Sequence, residues 1–251
     1  MVREIMRNLP HERIVYFGDT ARVPYGSKSK ETVLRYSRQI VRFLEKQKVK
    51  AIVVACNTAS ALALDTIEQE VELPILGVVK PGASVAVHTT RNRRVGVIAT
   101  ESTIHSHLYR TLIQAEDPGI TVFGKACPLF VPLVEEGWTK DPITEEVARR
   151  YLGELLEKDI DTLIMGCTHY PLLRSLLREI VGESVTLVNP AYETAQALRR
   201  MLEEMVLEND GPRGEQYRFY TSDAAEKFDT FAASILPCRV PAASQIPIEE
   251  Y

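Results

Sequence analysis

The chain has 251 residues, of which 45% are hydrophobic and 25% are charged, as is usual for a globular protein with one large domain or two of ordinary size. Its formal net charge of -4 gives no general attraction to phosphate backbones or anionic membranes, so we expect neither nucleic acid nor a membrane as a partner. No stretch reaches the roughly 18 consecutive apolar residues of a spanning helix, and residues 1–10 lack a signal-peptide core. These features predict a cytoplasmic protein.

Short apolar, β-branched runs alternate along the chain with longer amphipathic stretches. The runs predict strands at 13–17, 51–55, 94–99, 120–123, 162–165 and 185–188. The stretches predict helices at 31–48, 59–72, 145–158, 170–181 and 192–208, and the spacing of apolar residues predicts a further helix over residues 2–9. This alternation is typical of an α/β fold with parallel strands, and strands that are apolar throughout indicate sheets with helices on both faces.

Two breaks divide the sequence, Lys-Pro-Gly at 80–82 and Asn-Pro at 189–190, and each can end one layer and redirect the chain. They predict two α/β domains with mainly parallel sheets and an active site in the cleft between them. The first domain is expected to be discontinuous, with residues 1–80 plus 190–251, and the second to comprise residues 81–189. The last stretch, 237–251, contains three prolines and is expected to be an irregular tail.

The chain has four cysteines, and they form no CxxC pair: Cys56, Cys127, Cys167 and Cys238. This spacing argues against a disulfide framework and against a zinc cluster, so no metal site is expected. The sequence also lacks the G-x-x-x-x-G-K-[ST] and G-x-G-x-x-G fingerprints, which leaves nucleotide and nicotinamide cofactors with little support. The sequence does not decide whether a lysine forms a Schiff base.

Two of the cysteines lie in segments that echo one another, VKAIVVACNT at 49–58 and IDTLIMGCTH at 160–169. Each segment is an apolar strand, a small residue, a cysteine and two polar residues that open a helix. Because ligands of open α/β sheets bind beyond the carboxyl ends of the strands, we expect Cys56 and Cys167 to face one ligand. Each thiol is also expected at a helix N-terminus, where backbone N–H groups lower the pKa of a cysteine and suit the carboxylates of an amino acid.

Two thiols that approach one substrate from different domains suit the inversion of a stereocentre. Such a reaction needs a base on one face of the carbon and an acid on the other, and the two exchange roles with direction. Racemisation fits this symmetry better than hydrolysis does. A single buried cysteine at a strand end is more often a small hydrophobic residue, and we keep that interpretation for Cys127 and Cys238.

Four motifs together resemble those of the glutamate racemase family: GDTARVPYG at 18–26, ACNTAS at 55–60, FVPLVE at 130–135 and GCTHYPL at 166–172. The similarity extends from about residue 2 to about residue 197. The resemblance implies an isomerase that interconverts L-glutamate and D-glutamate without a cofactor and supplies D-glutamate for peptidoglycan, and hence for cell wall biogenesis and cell shape.

The resemblance also implies roles for individual residues. The catalytic residues would be Cys56, Cys167, His169, Asp19 and Glu135. Among them Cys56 would act on D-glutamate, Cys167 would act on L-glutamate with the help of His169, and the two carboxylates would orient or tune the chemistry. The substrate-binding residues would be Tyr25, Gly26, Asn57, Thr58 and Thr168.

Other interpretations stay open at this point. The family opens with a strand and an Asp-Ser-Gly motif, and this sequence begins just after that point, which would make the chain a poor catalyst or a binding or regulatory protein with the same fold. A racemase of aspartate or of another small acidic amino acid is a second alternative. The sequence also leaves open whether the chain forms a homodimer.

Overall fold

The computed structural model describes residues 1–211, 217–238 and 241–251. Within these residues the helices are α1 Val2–Asn8, α2 Lys30–Lys46, α3 Asn57–Leu62, α4 Leu64–Glu70, α5 Val79–Thr89, α6 Glu101–His105, α7 Leu108–Glu116, α8 Phe130–Glu135, α9 Pro142–Leu156, α10 Arg174–Val181, α11 Pro190–Glu204 and α12 Ala225–Ile235. The strands are β1 Val15–Gly18, β2 Ile52–Val54, β3 Ile75–Gly77, β4 Arg94–Ala99, β5 Thr121–Ala126, β6 Thr162–Gly166, β7 Thr186–Val188, β8 Arg218–Thr221 and β9 Ser244–Gln245. Three short 3₁₀ turns occupy Tyr25–Ser27, Tyr170–Leu173 and Ile248–Glu250.

The strands form three sheets, and every strand pair in the described part of the chain is parallel. One sheet has the order β5-β4-β6-β7, the second has the order β1-β8-β9, and the third consists of β2 and β3. Parallel strands require crossover connections, and helices supply most of them here. The predicted α/β class with mainly parallel sheets is therefore confirmed.

The four-stranded sheet is covered by helices on both faces. Successive residues of β6 point to opposite faces, so Leu163 packs in one apolar cluster with Leu152 of α9, whereas Ile164 packs in another with Ile113 of α7. Both strand residues are fully buried. This is why the strand sequence is apolar throughout and does not alternate.

The strands before residue 78 and after residue 217 build a second group of layers. Val33 of α2 packs with Ile52 of β2 and Ile75 of β3 in one apolar cluster. The predicted helix at the start of the chain is present as α1, and its Ile5 packs on Leu198 of α11. Helix α11 contacts α1, α5 and β6, and so lies between the two groups of layers.

One predicted break is wrong, because α5 runs through the Lys-Pro-Gly stretch at 80–82. The helix begins at Val79, so Pro81 lies in its first turn, where a missing N–H leaves no intrahelical hydrogen bond unmade. At the other break Asn189 caps α11 with a hydrogen bond from Ala191 N to Asn189 Oδ1 (3.1 Å), and Pro190 is the first helical residue. The domain boundaries drawn at these positions stay a prediction.

The expected irregular tail, 237–251, is only partly irregular; residues 239 and 240 lie outside the described residues. Its strand β9 pairs with β8, Ile248 is fully buried, and the ring of Tyr251 packs edge-on against Phe43 at 5.3 Å between centroids. The hydrophobic periodicity of the sequence did not indicate this ordered packing, because a two-residue strand and a single buried side chain form no repeating pattern. Strand β3 also has only three residues and was not predicted.

Candidate active site

Cys56 follows β2 and is the N-cap of α3, as the sequence predicts. Its Sγ accepts a hydrogen bond from Ala59 N at 3.4 Å. The expected lowering of its pKa is nevertheless wrong. Burial is the largest effect and a nearby Cys167 thiolate adds to it, while the Ala59 N–H acts in the opposite direction, and together they raise the pKa of Cys56 to about 11. Helix α3 has only six residues, so its N-terminus offsets little of the burial. Cys56 is therefore a protonated thiol near neutral pH.

Cys167 follows β6, but it is not the N-cap of an α-helix. The chain continues into the 3₁₀ turn Tyr170–Leu173, and α10 begins only at Arg174. An α-helix would need an N–H on residue 171 to reach the carbonyl of Cys167, and Pro171 has none. The carbonyl accepts from Tyr170 N instead, at 3.2 Å. The helix predicted over 170–181 therefore begins with a 3₁₀ turn whose N-cap is His169, and Cys167 lies two residues before that cap.

Cys167 lies beside the imidazole ring of a histidine. Nδ1 of His169 lies 3.7 Å from Sγ of Cys167, and Nε2 of the same ring lies 3.2 Å from Oε1 of Glu135. Burial acts to lower the pKa of His169, but the contacts with Cys167 and Glu135 outweigh it and raise the pKa to about 9. The bond to His169 lowers the pKa of Glu135 in turn. Three of the predicted catalytic residues thus form one chain of contacts.

The two cysteine motifs approach one another, although their strands belong to different sheets. Three hydrogen-bond contacts join the segment that follows β2 to helices α6 and α7 of the four-stranded sheet. Thr58 Oγ1 lies 2.9 Å from Thr100 Oγ1 and 3.2 Å from Thr103 Oγ1, and the hydroxyl of Tyr109 donates to Asn57 Oδ1 at 2.7 Å. These buried contacts hold the half of the site with Cys56 against the half with Cys167.

The predicted substrate-binding residues differ in burial. Tyr25, Asn57 and Thr58 are buried, and Thr168 is exposed beside His169, with its Oγ1 3.5 Å from Nδ1. Gly26 lies against Thr100, since a Cβ at position 26 would be 2.6 Å from the Thr100 Cβ. Only glycine fits there, and this close approach brings the 3₁₀ turn at Tyr25–Ser27 to the edge of the four-stranded sheet.

Asp19 lies in a buried network of polar side chains. Its carboxylate accepts hydrogen bonds from Arg22 Nε at 2.8 and 2.9 Å, from Ser222 Oγ at 2.9 Å and from the hydroxyl of Tyr25. Burial raises the pKa of Tyr25, and the nearby charge of Asp19 and its hydrogen bond with the Tyr25 hydroxyl add to this effect. These bonds hold Tyr25 in place, and Tyr25 packs in the same apolar cluster as Cys56.

Sequence reasoning missed four polar residues of this region: Thr100, Thr103, Tyr109 and Ser222. Thr100 directly follows β4, so the rule that selected the two cysteines, a polar residue at the carboxyl end of a buried strand, would have found it. Tyr109 lies within the apolar stripe of α7 and looks like a core residue. Ser222 follows β8, a strand that the sequence did not predict.

The other two cysteines differ in exposure. Cys127 is buried, with its Sγ 3.6 Å from the carbonyl of Lys125, and Cys238 is exposed. Across the described residues, no group of three or more His, Cys, Asp or Glu side chains is placed to hold a metal ion. The helices in the same residues include none with the length and apolar character needed to cross a membrane.

The sequence of this chain is similar to those of many known proteins. The sequence model of the family described as Asp/Glu/Hydantoin racemase matches residues 1–198. The glutamate racemase of Geobacter metallireducens is 45% identical over 249 residues, which is 99% of this chain and 92% of the relative. That of Chlorobaculum tepidum is 46% identical and covers 91% of this chain and 84% of the relative.

The fold of this chain is also similar to solved structures of glutamate racemases. The glutamate racemase isoform RacE1 of Bacillus anthracis superposes with a TM-score of 0.94 at 36% identity, over 98% of this chain and 92% of that one. A glutamate racemase of Francisella tularensis, solved in complex with D-glutamate, has a TM-score of 0.93 at 37% identity, over 100% of this chain and 93% of that one.

Proposed function

The chain belongs to the Asp/Glu/Hydantoin racemase family and is an amino-acid racemase, and we propose that it interconverts L-glutamate and D-glutamate. One observation carries the proposal: Cys56 and Cys167 each lie just beyond a parallel strand of a different sheet, and buried hydrogen bonds join the segment after Cys56 to the sheet that carries Cys167. We infer that both thiols face one cleft between these two halves. The names of the relatives and the D-glutamate bound to the Francisella protein support glutamate as the substrate.

In the direction from L-glutamate to D-glutamate, Cys167 is the base and Cys56 is the acid. The Cα–H bond breaks on one face of the substrate and its proton goes to the sulfur of Cys167, while the S–H proton of Cys56 forms a new Cα–H bond on the other face. Cys56 is suited to donate, because burial raises its pKa to about 11. His169, whose pKa is raised to about 9 chiefly by Cys167 and Glu135 against the effect of burial, carries a proton beside Cys167 and stabilises a thiolate there.

The reverse reaction uses the same two sulfur atoms with their roles exchanged. Cys56 removes the proton of D-glutamate and Cys167 returns one from the opposite face. No group is consumed, so both directions need only the two thiols and the groups that orient the substrate. Asn57 and Thr58 follow the first thiol and Thr168 follows the second, which gives each half of the cleft polar groups for the substrate's carboxylates.

The experiment that tests the proposal follows the α-hydrogen of the substrate. Purified protein is incubated in D₂O with L-glutamate or D-glutamate, exchange is followed by proton NMR, and inversion by circular dichroism. We expect both enantiomers to exchange and to converge on the racemate. Inversion of aspartate in preference to glutamate would assign the chain to the sister activity, and binding of glutamate without exchange would make it a binding or regulatory protein.

The same assay tests whether a cofactor is needed. Because the proposed chemistry uses only the two thiols, dialysis against a chelator should leave the rate unchanged. Activity that is lost on dialysis and restored by a metal ion or by pyridoxal phosphate would contradict the mechanism.

The cellular role of the product is also part of the proposal. D-Glutamate made by this chain would enter peptidoglycan synthesis, and the chain should therefore support growth of a bacterium that requires added D-glutamate. Growth that still depends on D-glutamate, with active protein present, would contradict that role. A homodimer stays a prediction, which sedimentation of the purified protein tests directly.

A further inference from the structure

Tyr109 of α7 touches both cysteine motifs, although it belongs to neither. Its side chain is 4% exposed, and its hydroxyl donates to Asn57 Oδ1 at 2.7 Å. Its ring lies against the other motif, since a Cβ at Gly166 would be 3.2 Å from Tyr109 Cε2. Asn57 directly follows the first cysteine and Gly166 directly precedes the second, so one buried ring spans the two halves of the site.

The hydroxyl of Tyr109 determines which way the Asn57 amide faces. A phenol can donate one proton, and the Asn57 oxygen is the acceptor that the structure gives it. If the amide turned over, its NH₂ group would face the hydroxyl, and a buried O–H would lose its acceptor. The hydrogen bond therefore favours the orientation with the oxygen towards Tyr109 and the NH₂ group away from it.

The NH₂ group of Asn57 is left free for another partner. Among the described residues, Asn57 Nδ2 has no hydrogen-bond acceptor in the protein, and it is not one of the two fully buried side-chain atoms that lack a partner, Arg22 Nη2 and Thr221 Oγ1. The amide nitrogen thus reaches open space, although Asn57 as a whole is only 5% exposed. Such a donor suits a carboxylate oxygen of an amino acid.

We propose that Tyr109 is a positioning residue, whose hydroxyl holds the Asn57 amide so that its NH₂ group donates to a carboxylate of the substrate. The inference rests on the proposed function, because it takes an amino acid as the ligand of this cleft. It adds a residue from α7 to the site and explains why a polar atom is needed in the middle of that helix's apolar stripe.

The test is a double-mutant cycle between the two residues. Tyr109→Phe removes the hydroxyl and keeps the ring, and Asn57→Ala removes the amide. KM for glutamate and Kd for D-glutamate are measured for the parent, both single variants and the double variant. Tyr109→Phe should raise KM and Kd by roughly two- to tenfold, as expected for one lost hydrogen bond, with a smaller change in kcat.

The double variant separates positioning from packing. If Tyr109 acts through Asn57, then Tyr109→Phe should have no further effect on KM or Kd in the Asn57→Ala background. Tyr170→Phe is the matched control, because its buried hydroxyl also donates one hydrogen bond, to the carbonyl of Cys127 at 2.8 Å, and has no link to Asn57. This control should lower the melting temperature and leave KM unchanged.

Two results would overturn the inference: a parental KM and Kd in Tyr109→Phe, or an equal effect of that change with and without the Asn57 amide. If Tyr109→Phe does not fold, Asn57→Asp tests the same geometry, because it keeps an acceptor for Tyr109 but removes the NH₂ donor. An unchanged Kd in Asn57→Asp would then refute the inference. A parent protein that binds glutamate without exchanging its α-hydrogen would refute the proposed function alone, since the cycle can still be read from Kd.

Discussion

Oε1 of Glu135 lies 3.2 Å from Nε2 of His169, on the edge of the imidazole ring opposite the one that faces Cys167. The carboxylate lies at the end of α8 and its side chain is 43% exposed, whereas the ring of His169 is 27% exposed. Burial alone would lower the pKa of His169, but contacts with a sulfur on one side and a carboxylate on the other raise it to about 9. The ring therefore carries a proton at neutral pH and presents an N–H to the second thiol.

This arrangement makes the stability of the protein depend on pH. The pKa of His169 is about 9 in the folded protein, above the ordinary value of about 6.5 that applies in the unfolded chain. The stability that this proton contributes is fully present below about pH 6.5 and is lost as the pH rises through about 9. Urea denaturation between pH 6 and 10 should thus show a fall in the free energy of unfolding that His169→Asn removes.

A second variant separates the two contacts of the ring. Glu135→Gln removes the carboxylate charge but keeps a hydrogen-bond acceptor, so the pKa of His169 should fall and the loss of stability should move to lower pH. If the parent and both variants lose stability in parallel over this range, His169 is not protonated in the folded protein at neutral pH. The proposed role of its N–H beside Cys167 would then be wrong.

The positions of the two thiols could be predicted from sequence, whereas their surroundings could not. A cysteine that directly follows an apolar run lies at the carboxyl end of a strand, and all such ends in a parallel sheet point the same way, so Cys56 and Cys167 were found by a local rule. The contact of His169 with Glu135 joins residues 34 positions apart and was not predicted, although the family resemblance named both residues. The pKa of Cys56 was predicted in the wrong direction, because burial among side chains distant in sequence outweighs the local helix end.

The C-terminal part of the fold shows a similar limit. Strand β8 pairs with β1 through partners such as Val15 and Arg218, about 200 residues apart. The sequence pattern of so short a strand does not indicate its partner. The bond from Ser222 to Asp19 depends on it. Asp19 was therefore predicted as a residue of the site, but its place in a network with Arg22 and Tyr25 was not.

Replacing either cysteine of the cleft should abolish racemisation. Each thiol is base in one direction and acid in the other, so Cys56→Ala and Cys167→Ala should each lower kcat/KM by at least about 10²–10⁴-fold. The loss must be equal for both enantiomers, because L-glutamate and D-glutamate have the same free energy and the ratio of the two kcat/KM values is fixed. A polarimetric assay started from each enantiomer checks this.

Hydrogen exchange distinguishes the two thiols where racemisation rates do not. In D₂O the Cys56→Ala variant keeps Cys167 and should exchange the α-hydrogen of L-glutamate without inverting it, and Cys167→Ala should do the same for D-glutamate. Cys127→Ala and Cys238→Ala are the controls, and both should racemise at close to the parental rate, since Cys127 is buried in an apolar cluster and Cys238 is exposed on the surface. A Cys56→Ala protein that racemises at the parental rate would show that Cys56 is a structural residue.

The pair of Asp19 and Arg22 should matter for stability more than for the chemical step. The two side chains are 5% and 10% exposed, and Arg22 Nε lies 2.8 Å from Asp19 Oδ1. Removing one partner of a buried ion pair leaves the other charge unpaired and costs about 3–5 kcal/mol of unfolding free energy, so Asp19→Ala should be destabilised on that scale. Urea denaturation measures the difference.

An exposed ion pair gives the matched control. Arg38 and Glu70 approach to 2.5 Å, closer than Arg22 and Asp19, but their side chains are 38% and 39% exposed, so Glu70→Ala should change stability much less than Asp19→Ala. Asp19→Asn keeps acceptor and donor groups for Tyr25 and should retain more activity than Asp19→Ala. Equal stability of Asp19→Ala and the parent would mean that the network does not hold Tyr25 in place.

A last prediction concerns the close approach of Gly26 to Thr100, which joins the turn at Tyr25–Ser27 to the four-stranded sheet. A methyl group at position 26 would lie 2.6 Å from the Cβ of Thr100 and 2.7 Å from its Cγ2, so one of the two segments must move. The adjacent hydrogen bond from Ser102 Oγ to the carbonyl of Gly26, 2.8 Å long, would be strained by that movement. Gly26→Ala should therefore lower kcat/KM, because displacement of Tyr25 and its neighbour changes the distance between the two halves of the cleft.

Gly153 provides the control, since it lies inside α9 and a Cβ there would meet nothing within 4 Å. Gly153→Ala should leave kcat/KM unchanged and raise the unfolding free energy by about 0.5–1 kcal/mol, because alanine favours a helix interior over glycine. In Gly26→Ala we expect the opposite pattern, with lower activity and lower stability. Thermal unfolding and racemisation rates of the two variants, measured side by side, test this prediction. Parental activity in Gly26→Ala would show that a larger distance between the two halves of the cleft does not impair racemisation, which would contradict two opposed thiols acting on one carbon.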